Sequence, residues 1–583
     1  MFDAGSKRTA GVVGQAGAMD HVGSALSLIE DAWLEVQKAP YVARSLGRPL
    51  ERLPQVSEEA AFAQQTRVRA VLDRMAQVDV SGLPHELALT FEVARAQMQQ
   101  RSRVGDWYWL VFDLQGVGFF SMYAPTAYAG GWLIGDFVGL FAAHVFAEPG
   151  DLDRYLGLIE DLGRFVRQLD ARTRGQAERG IFLPRVQLEQ SIGLMTRLRD
   201  DAEASLLPSQ ERLPDVASRD LVAERIRSAV LPAYADMLAW LGDPDRAATA
   251  GEEVGLASLP GGAEVYADLV RLHTTLDLTP EQVHARGLSR VAEIQAEMQA
   301  VLDEVGATHR PQEHMGVLAN DPAWRAEGAE AIGAVFQRYI DRLKPHVERA
   351  FRFAPRADYG ASPLPETLAG SMTFGYYGAP SAAEPTGRYY FNAGNLSQQS
   401  LANVAALTYH ELVPGHHFHF ASQQENEGLH PLRRVSAVNA FNEGWAEYAA
   451  HLAGELGMYE APEERFGKLV MEAFLTTRLV VDTGMNTLGW SLDQARDYMR
   501  ENAFVSESEV LTESVRYSCD LPGQALGYKI GDFFLQDLRG RMQKAVGDGF
   551  DLRDFHDAVL RPGALPLPLV EANVERAIRS ASA

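Results

Sequence analysis

From about residue 20 to residue 250, apolar residues recur at three- and four-residue spacing, the period of helices that bury one face. The stretch from Leu152 to Leu169 shows it most plainly, and breaks fall at Leu206–Pro208 and Leu213–Pro214. A Gly-rich stretch, Leu259-Pro260-Gly261-Gly262, separates this half from the next. A helix start follows, with Thr279 as N-cap, Pro280 at the first helical position and Gln282 completing a capping box. Residues 360–392 are the least helical part, and Gly387-Arg388-Tyr389-Tyr390-Phe391-Asn392 predicts a short strand. Helical patterns then return to the end. The expectation is a mainly α chain: a loose tail over 1–18, a helical part over 19–255, and a part over 256–583 that carries the chemistry. The two parts are expected to form one continuous, two-lobed body.

Composition removes several classes of function. The net charge of −24 disfavours binding to nucleic-acid phosphates, which needs Lys and Arg. The single cysteine, Cys519, allows no internal disulfide and no cysteine-based zinc site, so any metal must be held by histidines and carboxylates. The N-terminal stretch lacks the apolar core of a signal peptide, and no run of roughly 18 apolar residues is long enough to span a membrane. The chain therefore reads as cytoplasmic, with no membrane or nucleic-acid partner.

The chemistry concentrates in Tyr409-His410-Glu411-Leu412-Val413-Pro414-Gly415-His416-His417-Phe418-His419. Zinc hydrolases of the His-Glu-x-x-His type set two imidazoles one helical turn apart, with the Glu between them as general base. Here the second His comes six residues after His410, and six residues turn a straight helix by about 600°. The inserted Pro-Gly pair can bulge or kink the helix and return His416 to the ion. His417, at seven residues, shares the His410 face of an unbroken helix but lies about 10 Å further along, and it stays the rival second ligand. A third ligand is expected from Asn442-Glu443-Gly444-Trp445-Ala446-Glu447, on a second helix beside the first. Glu443 would bind the metal, and Glu447, one turn on, would hydrogen-bond a ligand imidazole. The expected cofactor is one zinc ion per chain, held by His410, His416 and Glu443, with Glu411 as catalytic base.

With these motifs the sequence resembles the bacterial DUF885 family, a group of predicted gluzincins marked by His-Glu-x-x-Pro-Gly-His-His and Glu-Gly-Trp-Ala. Further matching segments are Gly262–Tyr266, Leu276–Pro280, Arg478–Gly484, Arg516-Tyr517 and Pro522–Gly531. The resemblance implies a two-lobed helical gluzincin fold, similar to angiotensin-converting enzyme, the oligopeptidases and the Taq-type carboxypeptidases. It also implies an edge strand beside the cleft and a late tyrosine that supports the oxyanion. By position these are Gly387–Asn392 and Tyr528. Arg516, Tyr517 and Lys529 are alternatives to Tyr528 or anchors for a substrate carboxylate, and Tyr390 and Asn392 would meet substrate along the strand. Two departures stand out. Asn486 replaces a histidine common in the family, and Glu447 and Ala450 stand where Leu and Glu are usual.

The reaction expected is hydrolysis of an amide bond in small peptides. The alternative is an amidase or C–N lyase acting on one small metabolite, motivated by Asn486. A non-catalytic metal-binding protein is a third reading, against which the intact Glu411 speaks.

Overall fold

The computed structural model describes residues 9–113, 116, 118–126, 130, 132–364, 375–381, 384–397 and 399–581. It is 69% helix and 3% strand, so any site must be built chiefly from helix-borne side chains. The Leu152–Leu169 pattern falls within Asp151–Glu178, whose stripe of Tyr155, Leu158, Leu162, Phe165 and Leu169 is buried. Helix Ala202–Leu206 ends before Pro208, and the next α-helix begins at Val216, after Pro214. The Thr279 side chain accepts from the Gln282 N–H, and the Gln282 side chain accepts from the Thr279 N–H, so the capping box opens Pro280–Glu304.

The expected tail is corrected. Thr9–Val36 is a helix, and residues 1–8 lie outside the described residues. Glycines at 11, 14 and 17 made this stretch read as irregular, at about 1 kcal/mol each in a helix. The continuation outweighs them, because Leu28, Ile29, Ala32 and Trp33 are buried in a core.

Two large apolar cores divide the molecule, and neither follows the boundary at residue 255. One joins Leu162, Phe165, Val230, Tyr266 and Leu269 to Leu479, Met485, Val515 and Leu526. The other joins Ile29, Phe91 and Met98 to Phe336, Tyr409, Phe418, Trp445, Leu535 and Val559. Each core thus takes residues from both halves of the chain. A sequence boundary marked by Gly and Pro separates helices, and it does not say which helices pack together.

Strands β1 (Phe112–Asp113) and β2 (Phe120–Ser121) form a small antiparallel pair. Strands β3 (Tyr359–Pro363), β4 (Gly375–Gly378) and β5 (Gly387–Phe391) form a sheet in the order β3-β5-β4, with β3 parallel and β4 antiparallel to β5. This corrects the expected edge strand: Gly387–Phe391 is the centre of its sheet. The edge that lines the cleft is β4, with Tyr376 opposite Tyr390. Gly375-Tyr376-Tyr377-Gly378 is short and flanked by glycine, so it carries no strand signal of its own. Its pairing with β5 makes it a strand.

Candidate metal centre

The His410 helix (Val404–Glu411) stops at Glu411, and a new helix (His416–Glu425) begins at His416. The expected bulge is therefore a full break. Leu412 and Gly415 carry non-helical dihedrals, and the Val413–Pro414 peptide is cis. Gly415 is required by space: a Cβ there would lie 1.8 Å from the His410 carbonyl oxygen. The Trp445 indole N–H donates to the Pro414 carbonyl at 2.9 Å, tying the break to the Glu443 helix (Asn439–Glu455).

The break turns His416 back onto His410. Nε2 of His410 and Nε2 of His416 lie 3.9 and 3.3 Å from Glu443 Oε2, and the three ligand atoms sit within 4.8 Å of one another. Bonds of 2.0–2.1 Å in a tetrahedron separate donor atoms by roughly 3.3 Å, so the set needs little adjustment to hold a zinc-sized ion. Glu443 Oε2 is buried, and its contacts to the two imidazoles do not make a well-formed hydrogen bond. A carboxylate oxygen left so is costly unless a cation meets it. The donor set and this oxygen both fit a divalent metal.

Supporting groups fix the ligands. His410 Nδ1 lies 2.9 Å from Glu447 Oε1, so with its proton on Nδ1 the ring turns the Nε2 lone pair towards Glu443. Lys529, fully buried, contacts Glu447, Glu472 and Asp532 at 3.6, 3.1 and 2.5 Å. Burial opposes ionisation of Glu443, but His416, His410 and Arg478 outweigh it and hold its carboxyl below the usual range. Burial dominates at Glu411 and raises its carboxyl despite the two imidazoles. Glu411 is half-buried and opens on the cleft.

The cleft has a volume of about 2330 Å³, and residues from both cores line it. Opposite the histidines stands Tyr528, its ring stacked on His410 with centroids 6.2 Å apart and planes at 10°. The Tyr528 helix (Gly527–Val546) reaches this place because Gly531 meets the Glu443 helix backbone to backbone. A Cβ on Gly531 would lie 2.0 Å from the Ala440 carbonyl oxygen. Beyond Tyr528 lies Arg478, with its guanidinium 4.8 Å from the Tyr528 ring and 4.3 Å from Phe474. Arg478 donates to Glu513 at 3.1 Å, and Glu513 also accepts from Arg516 and from the Tyr517 hydroxyl.

Of the residues singled out from the sequence, Glu411, Tyr390, Tyr528 and Arg516 line the cleft with His410, His416 and Glu443. Others lie elsewhere. His417 points away, bonded to Ala357 O and the Tyr377 hydroxyl at 3.1 and 2.9 Å, because it starts a new helix and not a continued one. Tyr517 is buried against Glu513, and Lys529 is buried behind Glu447. Asn392 caps the turn Ala393–Leu396. Asn486 is fully buried; it accepts from the Leu256 N–H and donates to Asp482 and the Tyr517 carbonyl. Sequence reasoning gave no site role to Arg478 or Glu513. The available signal was an arginine inside the apolar run Phe474–Val481, which a buried helix admits only with a partner.

A sequence profile for bacterial proteins of unknown function, DUF885, matches residues 40–574. No curated relative matches the sequence. Two solved structures are similar. One, from Colwellia psychrerythraea, has a TM-score of 0.82 and 24% identity over 96% of this chain and 99% of that one. The other, from Shewanella oneidensis, has a TM-score of 0.72 and 16% identity over 94% of this chain and 98% of that one. Each is described as a putative lipoprotein, the second as of unknown function. The cytoplasmic expectation is corrected by these descriptions. It rested on the lack of a signal-peptide core and of a spanning segment, and a lipid anchor needs no spanning segment. No helix among the described residues is long and apolar enough to cross a membrane.

Proposed function

The chain belongs to the DUF885 family, and we propose that it is a zinc-dependent hydrolase of the gluzincin type that cleaves amide bonds in small peptides. The observation that carries this reading is the convergence of His410, His416 and Glu443 around a buried carboxylate oxygen that makes no well-formed hydrogen bond, with Glu411 beside them in an open cleft. A structural metal site has no use for such a cleft or for an additional half-buried carboxylate.

A zinc ion held by these three residues supplies a Lewis acid that polarises a carbonyl and acidifies water. Glu411 takes the proton of the attacking water and passes it to the leaving amine. Tyr528 donates a hydrogen bond towards the carbonyl oxygen as charge builds on it. Glu447 keeps the His410 ring in one tautomer and orientation, and Lys529 balances the Glu447 charge without entering the cleft. Tyr376 and Tyr390 form an aromatic pair beside the cleft, 5.1 Å between centroids, against which substrate side chains can lie. The Asn486 departure from the family pattern lends no support to a dedicated metabolite substrate, since its side chain serves a buried joint.

The test is mass-spectrometric profiling of a mixed peptide library with zinc-loaded wild type and Glu411→Gln. Cleavage by the wild type and not by the variant is expected. No cleavage by a wild type that holds zinc overturns the peptidase reading and points to an amidase or lyase.

A further inference from the structure

The part of the cleft beyond Tyr528 is charged. Arg478 sits in the middle of the helix Pro462–Asn486, 4% exposed, and it lines the cleft. Among the described residues its Nη2 donates to Glu513, and its Nε is buried without a hydrogen bond. Arg516 lines the cleft beside it and is held by Gln524 at 2.7 Å and by Glu513 at 3.4 Å. Glu513 therefore shares one negative charge between two guanidiniums. Both arginines have further acidic neighbours, Arg516 in Asp482 and Asp520 and Arg478 in Glu443, but Arg478 keeps a guanidinium nitrogen outside any hydrogen bond for a ligand to meet. Its place is fixed on both sides, by Phe474 and by the Tyr528 ring.

We propose that Arg478, with Arg516 beside it, receives the terminal carboxylate of the substrate, so that the enzyme trims peptides from the C-terminal end. This rests on the hydrolase reading above. One aromatic ring separates the guanidinium from His410, in steps of 4.8 and 6.2 Å. Those steps cap the separation at about three extended residues, which span roughly 3.3–3.6 Å each. With the carboxylate on Arg478, the bond at the metal centre is one to three residues from the end. Water adds across that bond: its hydroxyl goes to the carbonyl carbon, its proton to the leaving nitrogen. The products are a shortened peptide acid and a free amino acid or a di- or tripeptide. Long internal cleavage is disfavoured because a continuing chain leaves the arginine without its anion.

The test compares N-acetyl-pentaalanine with its C-terminal amide on the full-length protein. Binding is measured by calorimetry on zinc-loaded Glu411→Gln and on EDTA-treated wild type, and cleavage on zinc-loaded wild type. The free acid is expected to bind on the order of 10- to 100-fold tighter than the amide in both metal states, the span of a charge-assisted hydrogen bond. In Arg478→Gln that preference is expected to vanish. The acid–amide contrast on the unmutated protein stands even if the variant fails to fold. Equal binding of acid and amide overturns the anchor, as does a preference that appears only with zinc, which places the carboxylate on the metal. Equal cleavage of both peptides overturns the anchor and leaves the hydrolase standing. An acid preference in both metal states without any cleavage leaves the anchor standing and overturns the hydrolase.

Discussion

The two walls of the cleft solve opposite problems. On one, His410, His416 and Glu443 converge with a buried carboxylate oxygen in no well-formed hydrogen bond, while the outer atoms of the two imidazoles are held by Glu447 and His419. On the other, Arg478, Glu513, Arg516 and Tyr517 satisfy much of one another's charge before any ligand arrives. The first wall offers a donor set that fits a cation. The second holds its charges in a network of its own, and both of its guanidiniums line the cavity. An unmet demand marks where an ion belongs, and a mostly satisfied network marks where a ligand can be held without a high cost to the empty protein.

This contrast can be broken in graded steps. The largest effect is expected from Glu443→Ala. Zinc content, measured by plasma mass spectrometry, should drop from about one ion per chain to below about a tenth, because two imidazoles make a poor catalytic zinc site. Full zinc in that variant would show that the ion, if bound, sits elsewhere. Tyr528→Phe comes next: it keeps zinc and is expected to lower kcat about 10²- to 10³-fold, the cost of one oxyanion donor. Unchanged turnover would reduce Tyr528 to a packing residue between the walls. Glu447→Gln touches only the orientation of His410, and its zinc affinity in a chelator competition should weaken about 10- to 100-fold.

Smaller effects test how the walls are joined. Gly531→Ala forces the Tyr528 helix off the Glu443 helix and is expected to cost about 1–3 kcal/mol in guanidinium unfolding. A neutral result there would mean that the two helices can part without loss. The last prediction concerns acid. Burial lowers the His556 imidazole to about 4 and that of His273 to about 3. Both are neutral when folded, whereas the unfolded chain takes up protons near 6.5. Stability contributed by each is present above pH 6.5 and is lost as pH falls towards its folded value, at most about 1.4 kcal/mol per pH unit and histidine. Denaturant midpoints between pH 7 and 5 should fall accordingly, and His556→Gln should flatten the slope. A slope that His556→Gln leaves unchanged would rule out this source.

Much of the metal-side wall was legible because its parts are close in sequence. His410 and Glu411 are adjacent, and the Pro-Gly insertion announced that the helix could not run straight through to His416. The choice between His416 and His417 needed the break itself, since a bulged and a broken helix aim those rings differently. The opposite wall was scarcely legible. Arg516 and Tyr528 came from resemblance, and Arg478 is one arginine among many until Glu513, some 35 residues away, is seen to meet it. The strand at Gly387 was found, but its place at the centre of a sheet depends on partners that leave no mark on its own residues.

What the sequence alone determined is the helical class, the helix boundaries set by Pro, Gly and capping residues, and the donors available to a metal once cysteine is excluded. These follow from local spacing and side-chain chemistry, which act over one or two helical turns. The tertiary structure alone decided which helices share a core, that β4 is the edge beside the cleft, and that Asn486 and Lys529 serve buried joints. It also decided that an arginine lines the cavity one aromatic ring away from His410. Those outcomes depend on apolar burial and close backbone contact between segments far apart in the chain, as at Gly531 and Ala440; the apolar period says which face of a helix is buried, but burial is non-directional and does not name the partner.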